Sequence, residues 1–428
     1  MLIEDIILGV GKTILQVMAV SWWVILPVGL FFIWNEFWLW GKNRIFRKNM
    51  KWMIVEIKIP RNIEKTPKAM ESVFSALHAI RFKTPDFEDK YFRGEEPMWF
   101  TCELVGYAGG VHFFIRFPAA ARNLVESAIY SEYPDAEIVE SDDYTKLMPD
   151  VLPNDIYDLW GQDFVLAKED AYPIRTYEFF EESVSERRLD PISAITEAMS
   201  RLKEGEAAWI QYLLRPVSDS WKKEGEAIRD KIMQRKKEEK KGFIQEFVEG
   251  FIQFLKNLSF AAAEHPIWSS EVKKEEKFKM LHLSPGETNI LKGIENKISK
   301  SGFESAIRFL YIDKRDSFTS ANVSAIGSAL RQFNTQDMNS FKSISETMTK
   351  VTGRIFTTKG WFRKNKLFYK KRVIYDLYKL RWFPPECSIM NTEELATVFH
   401  FPIISVESPL LRRLDTRKGE PPANLPIK

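Results

Sequence analysis

The residues best suited to hold a ligand lie near the end of this 428-residue chain. Within residues 359–381 the cations Arg363, Lys364, Lys366, Lys370, Lys371, Arg372, Lys379 and Arg381 alternate with Trp361, Phe362, Phe368, Tyr369, Tyr375 and Tyr378, and Asp376 is the one acid among them. Cations hold phosphates, and aromatic rings stack on bases or settle at a bilayer face. The pattern therefore points to nucleic acid or anionic lipid, against the plainer reading of a helix or strand with its rings inward and its lysines solvated. A fainter signal is His112, Phe114 and Arg116, which alternate along one apolar run as the base-stacking residues of RNA-binding sheets do; the competing reading packs that face against a second module.

Other chemistries find no support. The five histidines (His78, His112, His265, His282 and His400) lack ligand spacing, and no His-Glu-x-x-His, Cys-x-x-Cys or Gly-x-Ser-x-Gly pattern occurs. Cys102 and Cys387 are far apart in apolar settings, which excludes a disulfide framework and fits a reducing compartment. Gly11-Lys12-Thr13 looks like the end of a phosphate-binding loop, but the glycine required five positions earlier is Ile6. Asp142-Asp143 is expected in a solvated loop. A formal net charge of +3 is too small to argue for nucleic acid by itself. The expectation is a non-enzyme with no cofactor and no metal site.

These side chains must be carried by some framework, and its first element is an apolar run over residues 14–34, long enough as a helix to cross a bilayer of about 30 Å. Trp22, Trp23, Pro27, Trp34, Trp38 and Trp40 lie in or beside it, and Lys42, Arg44, Arg47, Lys48 and Lys51 follow. The aromatic girdle and the positive-inside rule predict a single-pass protein of the cytoplasmic (inner) membrane, N-terminus outside and bulk cytoplasmic, with residues 1–51 as anchor and juxtamembrane segment.

Alternating apolar residues at 52–60, an amphipathic helix from Pro67, two strands flanking Ala108-Gly109-Gly110, a helix from Pro118 and a strand at 136–139 give the order βαββαβ. This predicts a ferredoxin-like module over 52–141. Residues 142–164 read as a connector. The order then repeats over 165–340: a strand at 172–180, a helix at 191–202 capped by Asp190, a strand at 208–214, a capping-box helix from Ser284, a strand at 304–312 and a helix at 320–332. The fold class expected is α+β, a transmembrane helix followed by two ferredoxin-like modules, the second interrupted by a helical insertion at 217–279. That insertion carries an apolar stripe with Phe243, Phe247, Phe251 and Leu255, which is core, partner interface or membrane-surface helix. Residues 341–428 hold the basic aromatic segment and a Pro-rich tail.

Four stretches carry a family resemblance: residues 157–161 through Tyr177, Trp209-Ile210-Gln211 through Pro216, the run Asn391-Thr392-Glu393-Glu394-Leu395-Ala396-Thr397-Val398-Phe399-His400-Phe401-Pro402, and Pro421-Pro422-Ala423-Asn424-Leu425-Pro426. They resemble the membrane-anchored, non-motor region of coupling-protein-like translocases of the HerA/FtsK superfamily, associated with type IV secretion and conjugative DNA transfer. The resemblance implies a scaffold that positions or recruits a separately encoded P-loop translocase ATPase, and an oligomeric assembly. It carries no catalytic residue across. The alternative is a nucleic-acid-binding protein that uses residues 359–381.

Overall fold

A computed structural model describes residues 2–60, 65–80, 85–107, 110–181, 190–233, 284–350 and 361–402. Its centre is one antiparallel sheet of nine strands: β1 (Trp52–Lys58), β2 (Phe100–Tyr107), β3 (Gly110–Pro118), β4 (Glu137–Glu140), β5 (Tyr157–Leu166), β6 (Ala207–Pro216), β7 (Gly302–Lys314), β8 (Phe341–Ser343) and β9 (Ser388–Asn391). The order is β4-β1-β3-β2-β6-β7-β5-β8, with β9 on the same edge of β7 as β5. Counted within each half, the strands run 4-1-3-2 and then 2-3-1-4, so the halves meet along their second strands.

That meeting corrects the expectation of two small modules. β2 and β6 pair without interruption from Phe100↔Leu214 to Tyr107↔Ala207, making a single large sheet with a shared core. Both strands are buried along nearly their whole length, β2 with the sequence FTCELVGY and β6 with AAWIQYLLRP. Strands that offer apolar side chains to two covered faces have no solvated side on which to stop a sheet. The strand expected at 172–180 is an extended segment closed by a short helix at Glu178–Glu181. Its place in the sheet belongs to β5, inside the stretch read as a connector; Asp158, Gly161, Gln162 and Asp163 break the apolar alternation there and hid the strand.

Helices cover one face: α2 (Pro67–Leu77), α3 (Arg122–Glu132), α5 (Ser193–Ser200), α8 (Ser320–Ala329) and α10 (Thr392–Val398). Here α4 is the short Glu178–Glu181 helix, and α6 (Lys222–Ile232) packs with α7 (Pro285–Ser299) around Trp221, Ile294 and Ile298. The capping box predicted at Ser284 is present: Ser284 Oγ accepts from Glu287 N, and Glu287 Oε2 accepts from Ser284 N at 2.8 Å. The other sheet face is covered by residues 144–152 and by α9 (Trp361–Lys379).

The membrane anchor is also corrected. Residues 14–34 fall within α1 (Leu2–Asn49), with Pro27 inside the helix, but among the described residues no helix is long and apolar enough to cross a membrane. The single-pass, inner-membrane placement is therefore not supported. Asn35, Glu36, Lys42, Asn43, Arg44 and Arg47 interrupt the described part of the helix, and its C-terminal end is fastened to protein. Trp38 Nε1 donates to Tyr91 O at 2.8 Å, Arg47 pairs with Glu96, and the Arg47 guanidinium lies 4.0 Å over the Trp382 ring. Trp38, read as part of an interfacial girdle, thus braces the helix against the irregular turn Asp89–Arg93. Trp22, Trp23, Trp34 and Trp40 are exposed on the same helix.

Candidate functional site

One rung of the sheet is polar. Register places Glu56 (β1), Phe114 (β3), Glu103 (β2), Gln211 (β6), Arg308 (β7) and Asp163 (β5) side by side on the face beneath α9. Five of the six can hydrogen-bond, in a position where apolar residues are the rule. Buried charge demands partners, and the rung supplies them. Arg308 grips Asp163 in a fork, Nε to Oδ1 at 2.8 Å and Nη2 to Oδ2 at 3.0 Å. Its remaining nitrogen, Nη1, donates to Leu377 O at 2.9 Å and Trp382 O at 3.3 Å, at the C-terminal end of α9.

Glu103, fully buried, is the second node. Its Oε1 accepts from Thr101 Oγ1 at 2.8 Å, Gln211 Nε2 at 2.9 Å and Arg381 Nε at 3.1 Å. Its Oε2 accepts from Tyr144 O–H at 2.7 Å, so the Tyr378 hydroxyl, 2.7 Å away, must donate to the Tyr144 oxygen. Arg381 also donates from Nη2 to Asp143 Oδ1 at 2.9 Å. Burial alone would raise the Glu103 carboxyl, but the charge and hydrogen bonds of Arg381, with those of Tyr144 and Thr101, hold it below its ordinary value. Asp143 is held low in the same balance, burial opposed by Arg381 and by two bonds from Thr145. Burial, and then the Glu103 charge, pushes both tyrosines up, so both stay protonated.

This network is a fastening for α9. Arg381 sits at φ +48°, the left-handed turn that ends the helix, and Trp382 N donates back to Leu377 O at 2.9 Å. Ile374, Tyr375 and Tyr378 point to the sheet. Gly161 of β5 leaves room for them: a Cβ there would strike Leu310 Cδ2 and lie 3.0 Å from Ile374 Cδ1. Glu103 and Arg381 are each at most 1% exposed, so their charges are spent on each other and reach no outside molecule.

The basic aromatic segment consequently divides in two. Lys370 Nζ donates to Ser345 O at 2.7 Å, Lys371 pairs with Asp158 at 2.6 Å, and Lys379 pairs with Asp150 at 2.9 Å. These three cations, with Arg381, serve the fold. Lys364, Lys366 and Arg372 have no ion pair among the described residues, and Phe368 and Tyr369 beside them are 45% and 68% exposed. Lys364, Phe368 and Arg372 recur every fourth residue and so share one helix face. The Arg363 side chain, and the stripe with Phe243, Phe247, Phe251 and Leu255, lie outside the described residues.

The first-sheet signal does not form an open surface. His112 and Phe114 are buried; His112 Nδ1 lies 2.7 Å from Glu56 Oε1, and the Phe114 ring packs 4.9 Å from Tyr144. Arg116 stacks 3.9 Å over Trp52, and burial followed by repulsion from Arg381 pushes it down to about 10. What covers this face is the chain around Tyr144 together with α9.

A second buried node lies on the opposite face. All seven residues of α10 are buried, and Asn391 and Glu394 form a capping box. Glu394 Oε1 also accepts from Ile174 N at 2.9 Å and Lys297 Nζ at 3.1 Å, and Thr397 Oγ1 accepts from Tyr177 N at 2.9 Å. Lys300 bridges Glu71 at 2.7 Å and Glu393 at 2.8 Å. His400 Nε2 lies 3.0 Å from Asp190 Oδ1. The run 391–402 thus ties together α2, α7 and the 172–177 segment.

A family model described as a domain of unknown function, DUF8128, matches residues 42–409. The chain belongs to the DUF8128 family. The matched region takes in both buried nodes, the whole sheet and the C-terminal end of α1. A search of curated proteins finds no significant match.

Sequence reading missed Glu103, Asp163, Gln211, Arg308 and Lys297. Part of the signal was present: Glu103, Gln211 and Arg308 are each flanked by apolar residues inside a strand, but register is needed to reveal that they share a rung with Asp163.

Proposed function

We propose that this DUF8128 protein is a non-catalytic scaffold that positions or recruits a translocase ATPase of a type IV secretion or DNA-transfer-like system. The observation that carries the reading is the run 391–402, whose residues bear the resemblance to the non-motor region of such translocases. Among the described residues it is one of the most thoroughly buried stretches, with seven consecutive helical residues inside and Glu394 and Thr397 each bonded to backbone 220 residues away. A segment gripped on all sides transmits force and orientation to whatever is joined after Pro402, which suits a mount better than a substrate-binding loop. The test is crosslinking and affinity purification of the full chain from its own cells, followed by binding of the purified partner. The expected partner is a P-loop ATPase, lost when residues 403–428 are deleted while the melting temperature is kept. Recovery of intact protein with no such ATPase rejects the reading.

A second reading, a nucleic-acid-binding protein, is favoured by one observation: Lys364, Lys366 and Arg372 stand without an ion pair among the described residues, beside the exposed rings of Phe368 and Tyr369. Fluorescence anisotropy with a single-stranded oligonucleotide would then give an affinity that falls steeply with salt and weakens in the Lys364→Gln/Arg372→Gln double variant. Binding that is absent, or indifferent to salt, removes it.

A further inference from the structure

Thirteen of the 23 large apolar side chains left exposed among the described residues lie on α1. A contiguous apolar patch of more than a few hundred Å² is rare on a monomer and marks an interaction surface. Six of the thirteen form a seam. Trp23, Leu26, Leu30, Ile33, Phe37 and Trp40 follow one another at alternating intervals of three and four residues, and each is 51–70% exposed. That spacing is the a/d repeat of a coiled coil, which lays one stripe of a helix along a second helix. Asn35 and Lys42 fall on the opposite side of α1, with Glu36 and Asn43 beside the stripe, so no charge lies on the seam. The chain's own fold also meets α1 off the seam. Trp38 Nε1 reaches Tyr91 O at 2.8 Å, and Gly94 packs on the Lys42 backbone, where a Cβ would collide.

The seam is its own complement. Turned end for end about a two-fold axis between residues 31 and 32, it sets Trp23 against Trp40, Leu26 against Phe37 and Leu30 against Ile33 of a second copy. With Trp22 and Trp34 at its flanks it offers about 800 Å², taking roughly 100 Å² for each half-exposed large side chain, which is what a standard interface draws from each partner. The pairing places the two sheets at opposite ends of the helix pair, where they do not compete for space. We propose that α1 pairs antiparallel with α1 of a second copy through this seam, making the protein a two-fold dimer. The inference is independent of the scaffold reading, since the seam is present whether or not an ATPase binds.

Sedimentation equilibrium of the full chain should show a concentration-dependent dimer. Leu30→Glu strands an unpaired carboxylate in the apolar seam, so the dissociation constant should rise by about 100-fold or more. Phe32→Glu, at an exposed position off the seam, should leave it unchanged. Both positions lie on the exposed part of α1, outside the core, so neither substitution threatens the sheet. Disulfide trapping reads the orientation: oxidation of a mixture of Trp23→Cys and Trp40→Cys chains should link one variant to the other, while either variant alone, like wild type, stays unlinked. A monomer at every concentration, including one that floats with lipid vesicles instead, overturns the proposal. So does equal weakening by the two glutamates, or self-linking of Trp23→Cys.

Discussion

The guanidinium of Arg381 and the carboxylate of Glu103, 278 positions apart in sequence, meet at 3.1 Å with neither exposed by more than 1%. One stands at the end of α9 and the other in the middle of the sheet, so the contact decides whether the helix stays on that face. Removing one partner of a buried pair leaves an uncompensated charge, which costs roughly 3–5 kcal/mol. Arg381→Met should therefore lose about that much stability in urea unfolding, and Glu103→Gln somewhat less because Gln keeps hydrogen-bond partners. The double variant should lose clearly less than the sum, since the two groups are coupled. Additive losses would mean that the helix is held by packing alone.

The same pair sets an acid dependence. The folded Glu103 carboxyl is held below its unfolded value, so its contribution is fully present above the unfolded carboxylate range of about 4.3 and is lost as pH falls through the folded value. Asp143 acts with the same sign. At neutral pH Glu103→Gln should be measurably less stable than wild type, and the gap should narrow as pH is lowered below about 4, because a protonated glutamic acid resembles glutamine. Melting temperatures from pH 3 to 7 check this; a gap that widens on acidification contradicts the assignment.

Gly161 allows α9 to approach the sheet. A side chain there collides with Leu310 and crowds Ile374 and Phe309 O, which is 3.1 Å from the would-be Cβ and, being backbone, cannot rotate away. Gly161→Val should cost about 1–3 kcal/mol, the usual penalty for overpacking. Hydrogen exchange should locate the loss in residues 364–382, with β1 and β4 unaffected.

Much of the fold was legible. Period-2 alternation marked β1, the hairpin glycines between two apolar runs marked β2 and β3, apolar runs marked β6 and β7, and the Ser284 capping box marked the start of α7 to the residue. β5 was not legible because Asp158 pairs with Lys371 of α9, Gly161 makes room for that helix and Asp163 serves the rung, and together with Gln162 they erase the alternation that identifies a strand. The union of the two halves was not legible either, because pairing of β2 with β6 is a long-range choice that neither strand encodes by itself. For the site, composition found the basic aromatic segment but could not divide it. Lys370 and Lys364 look alike in sequence, and only the positions of Ser345 O and Met348 O make the first a structural cation.

Both cysteines should be slow to react. Burial, and then the neighbouring Glu103 charge, pushes the Cys102 thiol up, and Cys387 is pushed up to about 11 by burial, with Glu304 adding to it. The thiolate is the reacting species, so at pH 8 only about one Cys387 in a thousand is competent at any instant. Iodoacetamide should label neither residue appreciably in the folded chain, and both rapidly in denaturant. Selective labelling of Cys387 under native conditions would show that the segment before β9 opens, and with it the β7 edge.

The run 391–402 gives the last prediction. Glu394 neutralises Lys297, whose amine is sealed from solvent, and also accepts from the backbone of Ile174 and Asn391. Glu394→Gln keeps the size and one acceptor but strands the ammonium, so it should cost about 3–5 kcal/mol. Lys297→Met strands the carboxylate, but that carboxylate retains its two backbone donors, Ile174 N and Asn391 N, and should cost less. The ordering is the diagnostic, because a mere loss of packing at α10 would make the two substitutions equal. Urea unfolding of both variants measures it, and hydrogen exchange at residues 172–177 should rise more in Glu394→Gln, where the bond to Ile174 N is weakened directly.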